Sequence, residues 1–172
     1  RIKFFTAVRA SVFHGHLNQA QVNGINFILD NWEKSNFTDL RWLAYTLGTA
    51  YHETAATMQP VHEYGGPAYY TRMYDIQGAR PSMANRMGNT APGDGIKYCG
   101  RGYVQLTWKS NYAKMGALLK VDLVNNPDLA MDPDTAVKIM FAGMTSTNLR
   151  NTFSGVNLQK YFNAEILRED GK

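Results

Sequence analysis

The chain is almost without cysteine: Cys99 is the only one among 172 residues. No internal disulfide can form, and such usage fits a protein made in a reducing compartment. Long apolar runs are missing too. No stretch of about 18 apolar residues occurs, so no membrane-spanning helix is expected. The opening Arg-Ile-Lys-Phe-Phe-Thr-Ala-Val-Arg has a short apolar run that Arg9 breaks, which makes a poor secretory signal. Several chemistry-bearing patterns are also absent. There is no G-x-S-x-G elbow for a serine hydrolase. There is no G-x-x-x-x-G-K-[ST] loop for phosphate and no H-E-x-x-H for zinc. Lys and Arg are scattered, which leaves no dense footprint for nucleic acid.

What is present is 44% hydrophobic and 19% charged, the make-up of one ordinary domain spanning residues 1–172. The net charge of +4 and pI near 9.2 favour anionic partners in a mild, unfocused way. Residues 1–35 read as helical, with Phe4 or Phe5, Val8 and Val12 recurring at helical spacing. Asn18 with Gln21 forms a capping signal, and Leu17 can staple onto Val22 before the stripe Val22, Ile25, Leu29, Trp32. Thr38 is the expected cap of a helix carrying Leu40, Leu43, Leu47, Ala50 and Tyr51. Residues 59–102 are crowded with Gly and Pro, and so long a loop-rich stretch inside a domain is usually functional. Residues 103–108 alternate as an extended segment would, with Gln105 and Thr107 on one side. Ser110 is the expected cap of the next helix, and Asp132-Pro133 starts another bearing Ala136, Ile139, Met140 and Met144. The reading is a mainly α domain with one irregular lobe.

Two His-Glu dipeptides ten residues apart, His52-Glu53 and His62-Glu63, are the main chemical signal. Glu53 follows the apolar stripe of its helix at the edge, not on the solvated face. A carboxyl half-buried there holds its proton longer, which suits a general acid; the plainer alternative is a helix-end salt bridge. Glu63 lies among Tyr64, Gly65 and Gly66. A carboxylate on a solvated loop stays ionised and can activate water, although most loop glutamates are merely solvated. Two carboxyls in unlike surroundings are what glycoside cleavage requires. The Gln105 amide could grip a sugar hydroxyl or N-acetyl group and the Thr107 hydroxyl could hold a water; an edge strand facing solvent is the alternative. The two His-Glu pairs have zinc-ligand types without zinc-ligand spacing, so no metal and no cofactor are expected.

Several segments together resemble glycoside hydrolase family 19, the group of plant-type chitinases and many phage endolysins. They are AYHETAAT (50–57), HEYG (62–65), residues 87–112 with G-R-G-x-x-Q-L-[ST]-x-x-x-N-Y, and VDLVNNPDLAMDP (121–133). The similarity covers most of residues 15–165, and the short gap between the two His-Glu pairs looks more like the endolysin branch. The resemblance implies a lysozyme-like fold: two helical lobes, the second loop-rich, with a substrate cleft between. It implies inverting hydrolysis of β-1,4 bonds, with Glu53 as acid, Glu63 as base and Thr107 helping to hold the attacking water. It places Gln105, Asn111, Tyr98 and Arg101 along the sugar cleft. The expected substrate is peptidoglycan glycan strands, with chitin oligomers as the runner-up and a non-catalytic wall-binding module as the reading of another class. A lytic transglycosylase would leave Glu63 idle. A monomer is expected, without nucleic acid or stable membrane insertion, made in a host cytoplasm and acting at the cell wall after release. Relatives of this branch continue past the equivalent of Glu169 with an Arg-Arg-Ile-x-Asn-Gly-like segment, whereas this chain stops at Gly171-Lys172, so a C-terminal truncation is expected.

Overall fold

Three helices, α1 (Ile2–Ser11), α2 (Gln19–Lys34) and α3 (Leu40–Glu53), open the computed structural model, which describes residues 1–145. Helix α2 starts as its sequence prescribes. The Asn18 side chain accepts from Gln21 N at 2.9 Å, and Gln21 Oε1 accepts from Asn18 N at 2.9 Å. Two otherwise orphaned N–H groups are thereby satisfied. Helix α3 is capped by Asp39 rather than by the expected Thr38. The Asp39 carboxylate accepts from Arg41 N at 2.9 Å and also holds the Arg41 guanidinium, which a hydroxyl could not do.

These helices bury Phe13, Ile25, Ile28, Leu29, Ala50 and Met58 in a first apolar cluster. Gly24 permits the closest approach, since a Cβ there would stand 1.8 Å from Met58 O. A second cluster holds Tyr98, Leu106, Tyr112, Met115, Leu123 and Ala130 around α7 (Lys109–Leu119) and a 3-10 turn at Pro127–Met131. Helix α8 (Pro133–Thr145), starting at Asp132-Pro133 as expected, joins the two. Ala136, Val137, Met140 and Met144 face the first cluster and Ile139 the second. The protein is mainly helical, with two lobes and little sheet.

The Gly/Pro-rich stretch is not bare loop. It contains β1 (Val61–His62), α4 (Pro67–Tyr74), α5 (Pro81–Arg86), α6 (Asp94–Lys97) and β2 (Arg101–Gly102). Prolines begin α4 and α5, where a missing N–H costs nothing. Its interior is polar, with Asp75, Asn89 and Asp94 all buried. Asp75 Oδ2 accepts from Gly93 N at 2.8 Å and Gly95 N at 3.0 Å, while Asp94 Oδ2 accepts from Thr90 N and Ala91 N at 3.0 and 3.1 Å. Burial pushes the Asp75 carboxyl up, but N–H donors from Gly95, Gln77, Gly93 and Ile76 outweigh it and hold the group below its ordinary value. Carboxylates and amides order this region where side-chain apolar area is scarce.

Strands β1 and β2 form one antiparallel pair, with Val61 opposite Gly102 and His62 opposite Arg101. Residues 103–108 do not continue as the extended segment expected. The chain turns back so that Leu106 bridges Arg101, with Gln105 at φ 51° and Trp108 at φ 78°. Trp108, not Ser110, occupies the cap position of α7. The expectation about a truncated tail at Glu169–Lys172 lies outside the described residues.

Candidate active site

Helix α3 ends at Glu53 because the chain then turns sharply. Thr54 Oγ1 donates to Ala50 O at 2.6 Å and accepts from Met58 N at 3.0 Å, while Ala55 and Ala56 take positive φ of 48° and 64°. Glu53 therefore stands at the very end of its helix. It is exposed, not half-buried as its spacing suggested. The correction has a simple cause: the apolar stripe faces the first cluster, and Glu53 is the last residue of the helix, just before the turn.

Glu63 is the reverse case. Expected on a mobile solvated loop, it is half-buried at the end of β1 and bonded on every side. Its backbone N–H donates to Gly100 O at 2.8 Å, and its carbonyl accepts from the Tyr70 hydroxyl. Its carboxylate accepts from Gly100 N at 3.0 Å on Oε2 and from the Tyr74 hydroxyl at 2.6 Å on Oε1. Gly100 lets the Glu63 and Gln105 side chains come close to the backbone here. A Cβ would stand 2.7 Å from Gln105 Oε1 and 3.0 Å from Glu63 Oε2.

Glu53, Glu63 and Thr107 line one open cavity of ≈ 390 Å³, together with His52, Tyr64, Tyr74 and Gln105. The structure thus brings together all three residues read as catalytic. The positive φ values at Gln105 and Trp108 bend the segment so that Gln105 and Thr107 both face the cavity. Non-glycine residues held in that region cost about 1–3 kcal/mol each and tend to cluster at functional sites. Thr107 Oγ1 donates to Gln105 O at 2.8 Å, so its hydroxyl oxygen can still accept. Gln105 spends its amide N–H groups on Val61 O at 3.0 Å and Gly102 O at 3.2 Å. It braces the strand pair, and only its Oε1 remains to meet a ligand.

Asn111, Tyr98 and Arg101 do not line this cavity. Asn111 is buried and donates to Thr107 O at 2.8 Å, supporting the Thr107 turn from behind. Tyr98 is 1% exposed, inside the second cluster, with its hydroxyl donating to Val124 O at 3.0 Å. Arg101 is also buried. It donates to Asp128 at 2.8 Å, Lys97 O at 3.0 Å, Cys99 O at 3.2 Å and the Tyr112 hydroxyl at 3.0 Å. The expected sugar contacts of Tyr98 and Arg101 are corrected: Tyr98 is packed in the second cluster, and the buried Arg101 spends Nε on Asp128 and Nη1 on Lys97 O, Cys99 O and Tyr112, which holds the lobe together. The Cys99 thiol is buried as well, and that burial pushes it up.

Tyr74 went unrecognised in the sequence. The signal was there, because Tyr70 and Tyr74 are four apart and share a face of α4 just downstream of Glu63. Burial followed by its bond to Glu63 pushes the Tyr74 hydroxyl far up, so it acts as a donor. Among the described residues no three His, Cys, Asp or Glu side chains converge to hold a metal.

The family profile of glycoside hydrolase family 19, described as chitinase class I, matches residues 33–161. The chain belongs to that family. Among curated relatives, it is 52% identical over 48 residues to Endochitinase 1 of Theobroma cacao, a match covering 27% of this chain and 15% of that one. It is 34% identical over 103 residues to Endochitinase A2 of Pisum sativum, covering 59% of this chain and 31% of that one. The matched stretches therefore span less than a third of these relatives. Chitinase C from Streptomyces griseus HUT6037 superposes with a TM-score of 0.53 at 26% identity, over 79% of this chain and 63% of that one. The family 19 fold agrees with the two-lobed, mainly helical architecture described above.

Proposed function

We propose that the chain hydrolyses β-1,4-linked glycans by inversion, with Glu53 as general acid and Glu63 as general base. The observation that carries this reading is the shared cavity of Glu53, Glu63 and Thr107. Glu53 delivers its proton to the glycosidic oxygen as the C1–O bond breaks. Glu63, already accepting two hydrogen bonds, takes a proton from a water. The Thr107 hydrogen is committed to Gln105 O, so Thr107 can meet that water only as an acceptor. A water whose two hydrogens point at Glu63 and Thr107 has a lone pair free for C1. The water oxygen bonds to C1 opposite the leaving oxygen, and the configuration inverts.

The exposure of Glu53 fits this scheme if the glycan supplies the dry environment. A sugar lying in the cleft covers the carboxyl and expels water from around it. A non-catalytic wall-binding module would have no need for both glutamates on one cavity.

For the substrate we favour peptidoglycan strands, as in an endolysin. The short gap between the His-Glu pairs and the positive net charge support this, because the peptide-bearing glycan is anionic. Chitin is the second reading, favoured by the names of the relatives. Parallel digestion of purified peptidoglycan and chitin oligomers, with mass spectrometry of the new reducing ends, separates them. Cleavage of chitin alone would overturn the endolysin reading, and cleavage of neither would overturn hydrolysis by this chain.

A further inference from the structure

Tyr74 has a place in the fold that packing does not explain. It is the last residue of α4, and its hydroxyl reaches Glu63 Oε1 at 2.6 Å. Its ring stands edge-on to Trp108 with centroids 5.0 Å apart, and the Arg80 guanidinium lies over both rings at 5.8 and 5.9 Å. Its backbone carbonyl accepts from the buried Asn89 Nδ2 at 2.9 Å. Asn89 Oδ1 accepts in turn from Lys109 N at 2.9 Å, two residues beyond Thr107. One buried amide therefore ties the end of α4 to the start of α7. The residue that grips Glu63 is held in register with the segment that carries Thr107.

We infer that Tyr74 is a positioning residue for the base: its hydroxyl fixes the rotamer of Glu63, while Asn89 sets the distance to Thr107. This rests on the acid and base roles proposed above. A glutamate has three rotatable bonds, and the Gly100 N–H restrains only one of its oxygens. Without Tyr74 the carboxylate can swing away from the water site. With it, the second lone pairs of Oε1 and Oε2 are left for the cleft.

The titratable groups beside Glu63 are Tyr74 and Tyr70 on α4, the preceding His62, and Cys99 just before β2. Tyr70 bonds the Glu63 backbone carbonyl, and Arg101 is committed to Asp128 and to internal carbonyls. Burial, followed by the charge of Arg101, holds His62 below its ordinary value. A test must therefore watch Glu63 itself.

The test is Tyr74→Phe, which keeps the ring and removes the donor. In steady-state hydrolysis we expect kcat to fall about tenfold, with KM within about twofold. The acid limb of the kcat profile should move up by about half a pH unit or more, because a carboxylate robbed of a donor takes up its proton sooner. Carbon-13 labelling of glutamate should show the Glu63 carboxyl titration, assigned by its loss in Glu63→Gln, moving the same way. Near-UV circular dichroism monitors the fold. An unmoved carboxyl titration, or equal changes in kcat and KM with an unmoved acid limb, would overturn the inference. Retained activity in Glu63→Gln would instead overturn the base assignment, and the carboxyl titration would still decide whether Tyr74 controls Glu63.

Discussion

The two glutamates of the cleft are mounted in opposite ways. Glu53 stands at the end of a fourteen-residue helix, exposed. Glu63 follows directly on a two-residue strand, half-buried, with its carboxylate held by Gly100 and Tyr74 and its backbone by Gly100 and Tyr70. The helix gives its glutamate a place but little environment. The strand gives its glutamate both. An acid that must release a proton into a bound sugar can take its surroundings from that sugar. A base that must aim a water needs its orientation built in beforehand.

The sharpest break in this comparison comes from removing either charge. Glu53→Gln should lower hydrolysis by about 10²–10⁴-fold while leaving folding and glycan binding largely intact, as general acid–base catalysis contributes about that much. Glu63→Gln should be similarly severe. Rates together with calorimetric binding check both, and a Glu53→Gln variant that keeps more than about a tenth of the activity would remove Glu53 from the acid role.

A steric change should reach only the Glu63 wall. In Gly100→Ala the new methyl would push against Gln105 Oε1 and crowd Glu63 Oε2, which disturbs the aim of the base. A fall in kcat of about tenfold or more is expected, whereas an alanine at exposed Gly48 on α3 meets nothing and should change little. Equal effects of the two substitutions would show that the walls are not different in kind.

The polar interior behind the Glu63 wall should be sensitive to acid. The Asp75 carboxyl is held below its ordinary 3.8, so its stabilisation is fully present above that value and fades as pH falls through the lower folded-state value. Asp75→Asn should lower Tm by several degrees at neutral pH, consistent with about 1–3 kcal/mol for disturbed buried hydrogen bonds. The gap to the parent protein should shrink as the medium is acidified below about pH 4. Thermal melts across pH check it, and a gap that widens in acid would contradict the assignment.

The smallest effect is expected at Thr107. Thr107→Ala should cost roughly fivefold, since one hydrogen bond to a water is worth about 1 kcal/mol. Combined with Glu63→Gln it should add less than its own effect, because both act on one water. Cys99→Ser should leave the chemistry unchanged, and strict additivity in the Thr107 and Glu63 pair would show that they do not share a task.

The sequence carries the parts of this architecture that depend on neighbours along the chain. The Asn18–Gln21 box and the Asp132-Pro133 start are local, and both stand where the sequence puts them. The two glutamates and Thr107 are legible as chemistry, and the fold collects them. Their environments are the reverse of what the sequence suggests. Helical spacing places Glu53 at the edge of an apolar stripe but carries no information about the left-handed turn at Ala55 and Ala56. Flanking glycines suggest a free loop at Glu63, while its restraints come from residues 70, 74 and 100, none adjacent in sequence. Motif membership draws Tyr98 and Arg101 into the cleft, and only three-dimensional burial shows them inside the second lobe. The polar network of Asp75, Asn89 and Asp94 has no periodicity to read.

The stereochemistry of the first product tests the central claim most directly. If Glu53 and Glu63 act on opposite faces with a water between, proton NMR during the first turnovers of a β-linked substrate should show the α anomer appearing first, with the β anomer growing in later by mutarotation. A β anomer appearing first would mean that a carboxylate, not the water held by Glu63 and Thr107, attacks the sugar, and the division of labour between the two walls would be wrong.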